Sequence, residues 1–93
     1  MINIAYLEEK VLTRTAFVLA FEKQEDCKVI YSESGSDAFI AYIQSQSLPP
    51  DLCILSDTYP YAELVKTIKA IKVKSNHPYI LLKSESKFMK GIC

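Results

Sequence analysis

Ser56, Asp57 and Thr58 are three short polar side chains that directly follow the apolar run Leu52-Cys53-Ile54-Leu55 and are closed off by Pro60. A run that short, without alternation, fits a central strand covered on both faces better than a buried helix. The polar trio then lies at the C-terminal end of that strand, where open α/β sheets place their ligand sites. A second polar group, Glu8-Glu9, ends the apolar segment from Asn3 to Leu7. Two adjacent carboxylates at a strand end are able to hold a hard cation through oxygen ligands. They also favour the N-terminus of a helix that follows them. Tyr59 and Tyr61 flank Pro60 and either cover the site or pack on a neighbour. His77 precedes Pro78 in a polar loop with no cysteine or second histidine near it in sequence, and is expected to be exposed and inert. A metal-dependent phosphohydrolase using Glu8 and Asp57 would need further ligands and a base. No segment supplies them, so the chain is not expected to be an enzyme.

Alternating strands and helices must position these residues. Asn3 to Leu7 reads as a first strand, and residues 11–22 place Leu12, Ala16, Leu19 and Ala20 at helical spacing with Phe17 and Phe21 beside them. Cys27 to Tyr31 is a second strand; Ser34-Gly35-Ser36 is a turn whose Ser36 is placed to cap a helix built on Ala38, Phe39, Tyr42 and Ile43. After the central strand, Ala62 to Lys72 carries Leu64, Val65, Ile68 and Ile71 on one side and lysines on the other, an amphipathic helix. Tyr79 to Leu82 is the fourth strand. Strands alternating with helices at this spacing imply right-handed crossovers and a parallel sheet with helices on both faces.

With 93 residues and 49% hydrophobic content, the chain is expected to form one domain over residues 1–84, followed by a polar tail over 85–93. The apolar start is too short for a signal-peptide core, and no run reaches membrane-spanning length, so a cytoplasmic protein without membrane contact is expected. Cys27, Cys53 and Cys93 are far apart and read as free thiols. The charge sums to zero but is divided: residues 1–58 hold four basic and nine acidic side chains, residues 59–93 seven basic and two acidic. Lysines late in a helix suit its dipole. No arginine or aromatic is interleaved among them to read bases, so direct nucleic-acid binding is not expected.

The chain resembles the receiver domain of two-component response regulators, a flavodoxin-like module of phosphorelay signal transduction. The resemblance runs from Ile2 to about Ser84. It rests on Glu8-Glu9 with Arg14 five residues on, the Pro50-Asp51 lead into the third strand, Pro60 after its polar end, and Pro78 opening the fourth strand. It implies a three-layer α/β sandwich with a parallel sheet in the order 2-1-3-4. In that family the acidic pair and an aspartate ending the third strand hold Mg²⁺, the aspartate accepts a phosphoryl group, a hydroxyl ends the fourth strand and a lysine the fifth. The cation neutralises the transferring group while the carboxylate attacks.

Against that pattern the chain carries Ser56 at the acceptor position and Lys83 at the hydroxyl position, and the fifth strand and last helix have no counterpart in residues 85–93. With no acid at position 56, the helix-terminus reading of Glu8-Glu9 is favoured over a metal pair. The expected site is a degenerate phosphoacceptor pocket of Glu8, Glu9, Ser56, Asp57, Lys83 and Ser84, with no metal and the Lys83 ammonium in the cation's place. The expected function is a pseudo-receiver that acts by protein–protein interaction without Asp phosphorylation, its partner a histidine kinase or an output domain. A homodimer is also expected, built around the exposed fourth strand and the helix before it. The alternative is a working receiver at the N-terminus of a transcriptional regulator. There Asp57, one residue past the expected position, takes the phosphoryl group and binds Mg²⁺ with Glu8 and Glu9, while Ser84 supplies the hydroxyl. A one-residue slip turns a strand's side chains over, so this alternative needs a bulge or an early strand end.

Overall fold

The computed structural model describes residues 1–74 and 78–84. Its elements alternate without exception: β1 (Ile2–Leu7), α1 (Val11–Glu22), β2 (Cys27–Glu33), α2 (Ser36–Ser45), β3 (Leu52–Ser56), α3 (Tyr61–Lys74) and β4 (Tyr79–Lys83). The four strands form one sheet in the order β2-β1-β3-β4, with every pair parallel. This is the α/β, flavodoxin-like arrangement. His77 and the tail 85–93, with the missing fifth strand and last helix expected there, lie outside the described residues. No helix among the described residues is long and apolar enough to cross a membrane.

Chain order and handedness decide which helix covers which face. The path moves from β1 outward to β2, then back past β1 to β3 and on to β4. Right-handed crossovers in opposite directions put α1 on one face and α2 and α3 on the other, and the packing agrees. Ala5 and Leu7 of β1 with Cys53 and Leu55 of β3 pack with Phe39 and Ile43 of α2 and Leu64 and Ile71 of α3. Ile4, Tyr6 and Ile54 turn the other way and meet Phe17 and Phe21 of α1. Strand alternation thus divides one apolar run into two cores. Burial pushes the Cys53 thiol up to about 12, which makes it an inert core residue.

Asp51 sets the start of the central strands. Its carboxylate accepts the Asn3 N–H at 2.7 Å, its own N–H donates to the Asn3 carbonyl, and its carbonyl accepts the Tyr79 N–H. One residue therefore aligns β1, β3 and β4 at their N-terminal ends. At the opposite ends β2 runs two residues further than its apolar run suggests, because Ser32 and Glu33 pair with Tyr6 and Leu7 across a register shift at Ile4/Ala5.

One local expectation is corrected. Ser36 does not cap α2: it lies within the first turn and is buried, Gly35 takes the cap position, and the Glu33 carboxylate accepts the Ser34 and Gly35 N–H groups just before it. On α1 the structure decides which apolar residues face the sheet: Leu12, Ala16, Leu19 and Ala20 are exposed, with Leu12 85% and Leu19 54% accessible. The helix instead packs through Phe17, which stacks on Tyr6 with ring centroids 4.1 Å apart, and through Phe21 beside it. Apolar residues occur around most of this helix, so spacing alone fits two faces. The larger aromatic area decides between them.

Phe17→Ala is accordingly expected to lower stability by about 2–3 kcal/mol, and Leu12→Ala by no more than about 0.5 kcal/mol. Urea unfolding of the two variants checks this, and the reverse order would show that α1 packs through Leu12 instead.

Candidate functional site at the C-terminal edge of the sheet

The parallel strands deliver Glu8, Glu33, Ser56 and Lys83 to one edge. Glu8 follows β1, Glu33 ends β2, Ser56 ends β3 and Lys83 ends β4, where it pairs in register with Ser56. The Glu8 N–H donates to the Glu33 carbonyl at 3.0 Å, which prolongs the β1–β2 ladder by one residue and draws Glu8 inward.

Glu8 is fully buried. Such a carboxylate needs partners, since an unpaired ionised group in the interior is very costly. The Lys10 N–H donates to its Oε2 at 3.1 Å, and the Tyr6 hydroxyl donates to its Oε1 at 3.4 Å. Lys83 Nζ stands 3.9 Å from the same Oε1, with only 11% of its side chain accessible. The lysine thus reaches over from β4, past β3, to neutralise a carboxylate on β1. Arg14 takes a different role: its Nη1 donates to the Glu8 carbonyl at 2.7 Å, fastening the β1–α1 loop to the helix.

The other expected site residues are placed as follows. Glu9 is exposed. Ser56 is buried, with Oγ 2.9 Å from the Thr58 hydroxyl. Asp57 lies beyond the end of β3 in the following turn, is exposed, and donates its N–H to the Lys83 carbonyl at 2.9 Å. The strand has ended, so the slip does not invert its face, yet the carboxylate is not gathered with the acidic pair. Among the described residues no group of three or more His, Cys, Asp or Glu is placed to hold a metal ion. The Glu8, Glu9 and Asp57 set of the alternative reading is therefore not assembled here. Ser84 directly follows β4 and is half-buried. Of the two tyrosines beside Pro60, Tyr59 is buried and Tyr61 is exposed.

Tyr59, one of the two tyrosines expected to cover the site or pack on a neighbour, belongs to this edge, as does Glu33, which was not read from sequence as one of its parts. The Tyr59 hydroxyl donates to the Ser34 carbonyl, tying the turn after β3 to the loop after β2. Burial, with Glu9 and Glu8 nearby, raises its phenol above the usual range. Glu33 accepts from the Gly35 and Ser34 N–H groups and from the Tyr31 hydroxyl. Those bonds, led by that from Gly35, lower its carboxyl below the ordinary value. A strand-ending acid two residues before a glycine is the signal that could have found it. An apolar hollow of about 470 Å³, bordered by Met1, Pro50, Leu52 and Tyr79, lies at the other end of the sheet, away from these groups.

Comparison with protein-family models, with curated proteins and with solved structures gives no match to this chain. What the edge does must be argued from its own chemistry. It holds a buried carboxylate, an ammonium, two paired hydroxyls and an exposed acid.

Because the Glu33 carboxyl is lowered in the fold, its contribution to stability is present above its unfolded value of 4.5 and is lost as pH falls through the lower folded value. Glu33→Gln should therefore cost stability near neutral pH and little near pH 2, as roughly measured by urea midpoints at the two extremes. An equal loss at both would show that the effect is not ionisation.

Proposed function

We propose that the chain is a receiver-like signalling module that works through contacts with protein partners, with no phosphoryl transfer to an aspartate. The observation that carries this reading is the pairing of Lys83 with Glu8. In a working phosphoacceptor pocket a divalent cation neutralises the acidic cluster and then the transferring group. Here an ammonium fixed to β4 sits beside the buried carboxylate, and a covalently tethered charge does not need to be recruited from solution. Position 56 supports the same reading: where a receiver carries its acceptor aspartate this chain has a serine, whose hydroxyl is buried and held by Thr58.

The fold suits a binding role. Its parallel sheet supplies a rigid base, while β4 leaves Tyr79 and Leu82 exposed next to an outer edge unpaired among the described residues. Such an edge can accept a strand from a partner, including another copy of the chain. Tyr61 on α3 adds an exposed aromatic near the C-terminal edge. A kinase or an output domain is the class of partner that this reading implies. Free Cys27 and Cys53 suit the reducing cytoplasm that it requires.

Incubation with Mg²⁺ and acetyl phosphate, followed by intact-mass measurement, tests the proposal. The expected result is an unchanged mass. A phosphoryl adduct that disappears in Asp57→Asn would contradict it and establish the alternative, a phosphorylatable receiver.

A further inference from the structure

β4 is the outermost strand on its side of the sheet, and its backbone bonds show which groups it turns outward. The Tyr79 N–H donates to the Asp51 carbonyl and the Lys83 carbonyl accepts from the Asp57 N–H, both on the β3 side. In a parallel ladder the N–H and C=O of one residue point the same way, and those of the next residue point the other way. Tyr79, Leu81 and Lys83 therefore bond towards β3. Ile80 and Leu82 present their N–H and C=O groups to the outer edge, where no described residue meets them. The side chains add apolar surface, with Tyr79, Leu81 and Leu82 80%, 52% and 50% exposed. A lysine on an edge strand ordinarily keeps other strands away. Here the Lys83 ammonium is drawn inward beside Glu8, with 11% of its side chain accessible, so the edge is left without that protection.

We propose that the β4 edge is a homodimer interface, in which β4 of a second copy pairs antiparallel about a two-fold axis that passes beside Leu81, perpendicular to the sheet. The proposal rests on the reading of the chain as a partner-binding module and names its partner. The register of the strand selects a second copy. With Leu81 opposite Leu81, Ile80 of each copy faces Leu82 of the other, so every outward N–H and C=O of β4 meets its complement. The side chains match in the same register: Leu81 meets Leu81, Ile80 meets Leu82, and the Tyr79 ring lies along the Lys83 stem. Moving the second strand by one residue sets outward groups against inward ones and makes no bonds. Moving it by two sets Leu82 against Pro78, which has no N–H, or sets Ile80 against the polar Ser84. The layers also fit. With strands about 4.8 Å apart and α3 above the β3–β4 pair, the two α3 helices stand about 14 Å apart, clear of the roughly 8–10 Å of packed helices. One sheet then runs through both copies.

Light scattering after size exclusion under reducing conditions, over about 5 to 200 µM protein, gives the first test. The wild-type chain is expected to be dimeric. Leu82→Pro is expected to be monomeric with an unchanged circular dichroism spectrum, because it removes an N–H that faces outward in the single copy and is needed only by the second strand. Cross-linking tests the register, in a chain with Cys27→Ser and Cys93→Ser. There Leu81→Cys is expected to give a disulfide-linked dimer on mild oxidation, since residues facing each other across the axis have Cα atoms about 4.5 Å apart. Leu82→Cys, which faces Ile80 of the second copy, is expected to give none. If Leu82→Pro does not fold, the two cysteine variants decide. A wild-type monomer across the range, a folded Leu82→Pro that still dimerises, or cross-linking no better at position 81 than at 82 each overturns the proposal. The result is separable from the functional reading. A phosphoryl adduct together with a dimer cross-linked through position 81 removes that reading alone, and a monomer that takes no phosphoryl group removes the interface alone.

Discussion

A fully buried carboxylate governs the C-terminal edge of this sheet. Glu8 directly follows the buried second half of β1, where desolvation would cost several kcal/mol if it stayed charged without partners. Its surroundings answer that demand from three directions: the Lys10 N–H from the loop, the Tyr6 hydroxyl from its own strand, and the Lys83 ammonium from β4. The last of these makes the sheet order matter. Because β3 lies between β1 and β4, Lys83 must reach across Ser56, so no acidic side chain at the end of β3 shares the space. The function we propose follows from that occupancy.

The same edge is tied together by backbone contacts rather than by side chains alone. Glu8 N–H to the Glu33 carbonyl, Asp57 N–H to the Lys83 carbonyl and Tyr59 hydroxyl to the Ser34 carbonyl join all four strand ends. Such bonds fix loops that would otherwise be free to rearrange around a ligand. The Ser56 and Thr58 hydroxyls pair with each other, and the Glu8 and Glu33 carboxylates are held by N–H and hydroxyl donors, which suits a recognition surface of fixed shape. Exposed apolar groups include Leu12 and Leu19 on α1, Tyr79, Leu81 and Leu82 on β4, and Tyr61 beside this edge.

Much of the fold was legible in the sequence because strand and helix differ in period. Leu52 to Leu55 could only be a central strand, and the α3 pattern of Leu64, Ile68 and Ile71 opposite lysines fixed its buried side. The α1 sequence was ambiguous for a physical reason: Leu12, Ala16, Leu19 and Ala20 form as regular a stripe as Phe17 and Phe21. Only tertiary packing on Tyr6 shows which one the sheet takes. At the site, residue types and order pointed to Glu8, Ser56 and Lys83 as neighbours. Sequence could not show that Glu9 turns outward, that Asp57 falls beyond the strand, or that Glu33 caps its own loop, since each depends on where a strand ends by a single residue.

The central claim is that Lys83 supplies the charge that Glu8 requires. A double-mutant cycle measures it directly, with Glu8→Gln, Lys83→Met and the pair compared by urea unfolding at neutral pH. The account predicts a coupling of about 1–3 kcal/mol, with the double variant more stable than the sum of the single losses implies. Single losses that add to within about 0.5 kcal/mol would show two independent residues, and would contradict the account.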